Sequence, residues 1–169
     1  MSRYTLRNKE VKKLIKKFVE SYKISDLGSF KKSKFRIDCV EVGDKRIYFV
    51  NDVPLIIRIN DIIYPSLIFE DAISDLPYIV VDVGAVSYIC NGADVMIPGI
   101  RKINGEIKKG STVLICDEKY NKKLALGISL YDEKEIRRMK KGKVITSVHY
   151  VGDEIWQLIS DSISNKNSF

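Results

Sequence analysis

Histidine occurs once in this chain, at residue 149, and cysteine three times, at residues 39, 90 and 116. Three widely spaced thiols with no C-x-x-C pair argue against a disulfide framework and against structural zinc. They read as reduced, mostly buried side chains. A single histidine leaves little material for acid–base or nucleophilic chemistry, and His149 falls in an alternating strand pattern where a packed or hydrogen-bonded imidazole is expected. There is no G-x-S-x-G and no G-x-x-x-x-G-K-[ST], and the carboxylates are scattered without an obvious pair. The expectation is a protein that is not an enzyme, with no cofactor and no metal. No apolar run reaches the length of a membrane span. The basic N-terminus lacks the apolar stretch of a secretory signal, so a cytoplasmic protein without a membrane partner is expected.

Positive charge is almost missing from the middle of the chain. Residues 47–100 hold one base, Arg58, against seven acids. Residues 1–36 hold twelve Lys or Arg against three Asp or Glu, and residues 101–169 fourteen against nine. The net charge of +7 therefore resides in two separate regions, each presenting positive potential to a polyanion. Charge alone fits a nucleic-acid partner and a solvated lysine-rich surface about equally.

At 169 residues, 45% of them hydrophobic, the chain can fill one large domain or two small ones. Val11, Leu14, Ile15, Phe18, Val19 and Tyr22 recur at the spacing of one buried helical face, predicting a helix over 9–22. Lys12, Lys13, Lys16, Lys17 and Lys23 lie mainly off that stripe. They form either a phosphate-facing surface or a solvated one. After Gly28 and the polar run Lys31-Lys32-Ser33-Lys34 the period changes to two. Strands over 35–42, 47–50 and 55–59, separated by Gly43-Asp44 and Asn51-Asp52, predict an antiparallel meander covered by the helix, an α+β unit. Tyr64-Pro65 reads as a turn and Ser66 as the cap of a short helix. Asp75-Leu76-Pro77 marks the boundary, giving one domain over 1–77 and a second over 78–159. Residues 160–169 read as a frayed tail.

The second domain opens on the stretch around which the chain is organised, DVGAVSYICNGADVMIPGI, residues 82–100. A strand over 78–81 stops there, and Val86, Ile89 and Cys90 form one stripe of a two-turn helix. Asp82 ties down the turn between them. Asn91-Gly92 ends the helix, since both residues tolerate the left-handed conformation of a cap. A strand follows over 94–97 and Pro98-Gly99 closes it. Gly92-Ala93-Asp94 is a place where another backbone can approach closely. Further strands are expected over 112–116 and 124–130, around a polar loop at 117–122. Asp132 and Glu135 are spaced as a capping box, and Gly142 reads as the end of that helix. Arg137, Arg138, Lys140 and Lys141 near its C-terminus either complement the helix dipole or contact a nucleic acid. Strands over 144–151 and 155–158 complete a closed or nearly closed barrel.

D-x-G-A at residues 82–85 and G-A-D-V-M-x-P-G-I at 92–100 resemble the signature of the PUA domain, an RNA-binding module shared by some pseudouridine synthases and archaeosine transglycosylases. Gly110-Ser111-Thr112-Val113, Ala125-Leu126-Gly127 and Gly152-Asp153-Glu154-Ile155-Trp156 continue the resemblance, with Ser111 where many PUA domains carry Asp. Upstream, Tyr64-Pro65-Ser66-Leu67 at its distance from Asp82 is similar to the malignant T-cell-amplified-sequence family and its archaeal relatives. In that family a small amino-terminal domain precedes the PUA domain. The resemblance therefore implies a pre-PUA α+β domain followed by a PUA β-pseudobarrel.

It also implies an RNA groove between the first helix of the PUA domain, the following strand and a late strand. Matching to the motif assigns Gly92, Ala93, Asp94, Met96, Pro98 and Gly99 to that groove, with barrel packing an equal explanation for Met96 and Pro98. Arg101 and Lys102 are the nearest bases for phosphates, and Lys143 follows. The function implied is a translation-associated RNA-binding protein that acts at the small ribosomal subunit and reads the 3′ CCA end of a tRNA. Its partner would be a separate density-regulated-protein-like factor. The alternative is an RNA-targeting subunit that delivers a separate tRNA- or rRNA-modifying enzyme.

Overall fold

A computed structural model describes residues 2–24 and 35–166. The chain forms two compact units, one of Met1–Ser74 with Leu158–Phe169, the other of Asp75–Gln157. The Lys31-Lys32-Ser33-Lys34 run and the last three residues lie outside the described part.

In the first unit, β1 (Arg3–Thr5), β2 (Ile37–Val42), β3 (Lys45–Val50), β4 (Val53–Ile59) and β5 (Ile62–Pro65) form one antiparallel sheet in that spatial order. Tight turns make this possible. Asn51 and Asp52 both have positive φ, 48° and 66°, the pairing that a two-residue hairpin turn requires. Helix α1 (Asn8–Tyr22) lies against the sheet with the stripe its spacing predicts. Leu14 and Phe18 are buried, and Val11, Ile15 and Tyr22 flank them over Ile37, Cys39, Ile56 and Ile63. The Phe18 ring stacks on Phe69 at 5.3 Å.

Two local expectations fail here. Tyr64-Pro65 is not a turn but the end of β5, where Pro65 lies opposite Ile56. Proline is tolerated there because β5 is an edge strand, with no ladder bond to lose on its outer side. Ser66 does not cap a helix. It is fully buried, its Oγ donates to the Pro54 carbonyl at 2.8 Å, and helix α2 (Glu70–Ile73) starts only after Phe69.

The second unit contains β6 (Tyr78–Val81), α3 (Val83–Ile89), β7 (Val95–Met96), β8 (Ile100–Asn104), β9 (Thr112–Asp117), β10 (Lys123–Ser129), α4 (Glu133–Arg138) and β11 (Lys143–Tyr150). The strand order is β7-β11-β10-β9-β6-β8, antiparallel except for the parallel β6–β9 pair. The two outer strands are consecutive in sequence, joined only by the 3-10 turn Ile97–Gly99. So short a link between opposite edges requires the sheet to curl on itself, which is the expected pseudobarrel. Its interior is filled by Ile79, Val81, Val95, Val113, Ile115, Leu124, Val144 and Ile145. Gly127 sits where β10 shifts register against β11. A Cβ there would overlap Ile145 Cγ2 and stand 2.7 Å from the Thr146 carbonyl oxygen. Ser111, in place of Asp, closes its own turn, with its Oγ donating to the Lys108 carbonyl at 2.6 Å.

The other corrections concern ends of elements. The strand expected over 94–97 is only Val95–Met96, because Ile97 enters the 3-10 turn and donates its N–H to the Gly142 carbonyl at 2.9 Å. Gly142 is not the cap of α4. That helix stops at Arg138, and Gly142 lies four residues further on with φ at +106°. Among the described residues, neither the strand expected over 155–158 nor the part of the expected frayed tail at 160–166 is present. Helix α5 (Glu154–Lys166) replaces both. Asp153 starts it by accepting the Trp156 N–H at 2.7 Å, as an N-cap carboxylate does. Ile155 and Ile159, four apart on one helical face, are both fully buried. The carboxylate of Asp153 also accepts a hydrogen bond from the Nδ1–H of the fully buried His149 at 2.8 Å. Among the described residues no helix is long and apolar enough to cross a membrane.

Candidate nucleic-acid interface

The organising stretch folds around Asp82. Its backbone N–H donates to the Gly99 carbonyl at 2.9 Å, and its Oδ1 accepts the Ala85 N–H at 2.8 Å. The first bond fixes the exit of β6 to the turn before β8, and the second caps α3. After two turns the helix unwinds through Cys90 and Asn91. Gly92, at φ +89°, turns the chain so that the Ala93 N–H returns to the Tyr88 carbonyl at 2.9 Å. Asp94 then binds across to β11, its Oδ1 accepting the Ser147 N–H at 2.8 Å. From there β7 pairs with β11, placing Met96 opposite Lys143.

Helix α3 and the segment from Ala93 to Gly99 thereby form the two walls of a cleft of about 400 Å³. One wall carries Gly84, Ala85, Tyr88 and Ile89, the other Ala93, Asp94, Val95, Met96, Pro98 and Gly99, with Val81 and Asp82 at the base of α3. Most of these are apolar, yet the cleft is open. Tyr88 is 69% exposed and Met96 48%. Large side chains left in water within one concave site distinguish it from ordinary surface, where apolar residues are scattered singly.

Each carboxylate of the cleft carries a basic partner. Arg101 Nη2 lies 3.0 Å from Asp82 Oδ2, with its Nε 3.8 Å from Glu118. Lys143 Nζ lies 3.3 Å from Asp94 Oδ2. Asp82 and Asp94 thus each have a cation at the rim, with Arg101 shared between Asp82 and Glu118.

Five of the nine residues singled out from the sequence, Ala93, Asp94, Met96, Pro98 and Gly99, line this one cleft. Arg101 and Lys143 join it only through their ion pairs. Lys102 is exposed and lines a different depression, of about 280 Å³, with Ile100, Arg101, Ile103 and Arg137. Gly92 does not line the cleft. A Cβ there would meet the Tyr150 ring, 3.0 Å from its hydroxyl, so the approach that glycine permits is made by a side chain of the same unit. Of the lining residues that the sequence reading did not single out, Tyr88 is the exposed aromatic one. It lies off the Val86, Ile89 and Cys90 stripe, and an aromatic off the buried face of an amphipathic helix is the signal that points to it.

Comparison with known proteins bears on this geometry. The PUA domain family matches residues 77–151, and the family described as Domain of unknown function (DUF1947) matches residues 2–69. An uncharacterized protein of Methanocaldococcus jannaschii is 36% identical, covering 91% of this chain and 94% of its own. Translation machinery-associated protein 20 of Saccharomyces cerevisiae is 28% identical, covering 92% of this chain and 91% of its own. The crystal structure of a hypothetical protein from Pyrococcus horikoshii superposes with a TM-score of 0.76 at 33% identity, over 94% of this chain and 99% of that one. The likeness to the malignant T-cell-amplified sequences is also found, over about half of this chain.

Proposed function

The chain belongs to the family in which a DUF1947 domain is followed by a PUA domain, and on that premise we propose that it reads the unpaired 3′ CCA end of a tRNA at the small ribosomal subunit. A PUA domain and a translation-machinery homologue along nearly the whole chain support an RNA-binding, translation-related role. The finer reading rests on one observation, the open cleft between α3 and the Ala93–Gly99 segment with Tyr88 and Met96 exposed in it.

The chemistry of an RNA end suits that cleft. An unpaired terminal nucleotide offers a π face and unpaired base edges, which aromatic side chains stack against and backbone groups read. A cleft of this volume is in the range that holds one small ligand. Small residues at Gly84, Ala85 and Ala93 leave room beside the base. Arg101 and Lys143 stand at the rim, where bases position the sugar-phosphate chain. Lys102 contributes longer-range attraction. This reading places the protein in the cytoplasm, with a density-regulated-protein-like factor as a separate partner.

Co-sedimentation tests it. Purified protein is expected to travel with small ribosomal subunits, and more strongly when tRNA bearing an intact CCA end is present than when the end is removed. Binding to free tRNA without any association with the subunit contradicts the ribosomal part of the reading, and favours an RNA-targeting subunit for a modifying enzyme.

A further inference from the structure

We propose that the tip of the β9–β10 hairpin, Tyr120 between Lys119 and Lys122, is a second RNA contact, which holds unpaired nucleotides on the 5′ side of the one seated in the cleft. The proposal rests on the reading of that cleft given above.

The tip is built to be rigid. Asp117, the last residue of β9, is buried, and its carboxylate accepts N–H bonds from Lys119 at 2.9 Å, Tyr120 at 2.7 Å and Lys122 at 2.7 Å. Asn121 takes the left-handed conformation, φ +51°, that closes the turn. On this fixed loop Tyr120 is 66% exposed. Lys119 Nζ lies 5.0 Å and Lys122 Nζ 5.6 Å from its ring centroid. Cation–π contacts at exposed sites are weak, and an open loop has no packing need for a large aromatic. An exposed aromatic ring with two ammonium groups over it accepts a nucleobase by stacking once the flexible lysines swing from the ring to the phosphates.

The hairpin is tied to the rim of the cleft. The Glu118 N–H donates to the Val81 carbonyl at 3.0 Å, and its Oε1 accepts the Val83 N–H at 3.2 Å, at the start of α3. Its Oε2 lies 3.8 Å from Arg101, which in turn pairs with Asp82 on the cleft wall. Through Glu118 the same hairpin that carries Lys119, Tyr120 and Lys122 touches both the start of α3 and Arg101, so a strand leaving the cleft past Asp82 is directed toward it. The division of labour follows from the chemistry. The cleft discriminates the terminal nucleotide, and the tip adds affinity that tolerates any sequence, because every base has a π face.

The test measures affinities for the trinucleotide CCA and for a twelve-nucleotide unpaired RNA ending in CCA. Tyr120→Ala is expected to weaken the longer RNA roughly tenfold, the scale of one lost aromatic–base stack, and to leave the trinucleotide unchanged. Tyr120→Phe should restore the longer RNA. Replacing Lys119 and Lys122 by Ala should flatten the log–log salt slope of the longer RNA by about 1.4, for two single-strand phosphates. Tyr88→Ala, in the cleft, should weaken both RNAs. If Tyr120→Ala alters neither RNA while Tyr88→Ala weakens both, the hairpin proposal is wrong and the cleft reading stands. If Tyr88→Ala alters neither RNA, the cleft reading is wrong, and any remaining Tyr120 effect refutes a shared path.

Discussion

Gly92 faces the ring of Tyr150: a Cβ on residue 92 would stand 3.0 Å from the phenolic oxygen and 3.1 Å from two ring carbons. The backbone at Gly92 is also left-handed, with φ at +89°. Two separable penalties therefore attach to Gly92→Ala. The conformation costs on the order of 1–2 kcal/mol for an L residue, and the ring must shift to admit the methyl group. A double-mutant cycle with Tyr150→Ala separates them. The pair is expected to couple by at least about 0.5 kcal/mol, since removing the ring removes the second penalty but not the first. Additive effects in thermal unfolding contradict this account of Gly92.

Gly127 is a stricter case. A Cβ there meets Ile145 Cγ2 and the Thr146 carbonyl oxygen, and a strand carbonyl held in the β10–β11 ladder cannot give way as the end of a flexible side chain can. Gly127→Ala is expected to destabilise by about 3 kcal/mol, the upper end for overpacking, or to abolish cooperative unfolding. A stability within about 0.5 kcal/mol of the parent would show that the ladder relaxes freely.

Asp153 links pH to stability. Burial by itself raises its pKa, but the hydrogen bond from His149 and those from the Trp156 and Tyr150 N–H groups outweigh it and hold the carboxyl below its usual range. A carboxyl that is more acidic when folded contributes stability above its unfolded pKa, and that contribution is lost as pH falls through the folded value. Asp153→Asn retains one acceptor oxygen in place of two and should cost about 1–3 kcal/mol near neutral pH. The gap between parent and variant should narrow below about pH 4. A gap that is constant from pH 7 down to acid unfolding contradicts the assignment.

The same residues show how far the sequence could be read. The meander, the α1 stripe and the PUA signature were legible because each rests on local spacing, and turns such as Asn51-Asp52 carry their own chemistry. Helix α5 was not, because Gly152-Asp153 reads equally well as a hairpin turn and as a helix start. Only the buried Ile155 and Ile159 settle it, and burial is a tertiary fact. Gly92 was legible as a glycine that something must approach, but what approaches is Tyr150, fifty-eight residues away in the chain. Pairing of Arg101 with Asp82 and of Lys143 with Asp94 was equally invisible, since the β8 and β11 register sets both.

The central claim, that the cleft between α3 and the Ala93–Gly99 segment receives an RNA end, is tested most directly by filling it. Ala93 lines the cleft while its N–H holds the α3 terminus, so Ala93→Trp adds bulk to the site without removing a hydrogen bond. The measurement is the ratio of dissociation constants for an RNA ending in CCA and the same RNA without it, in parent and variant, with cooperative unfolding of the variant verified. The account predicts a preference of about tenfold or more in the parent, the scale of one or two lost base contacts, and none in the folded variant. The same preference in both proteins would contradict it.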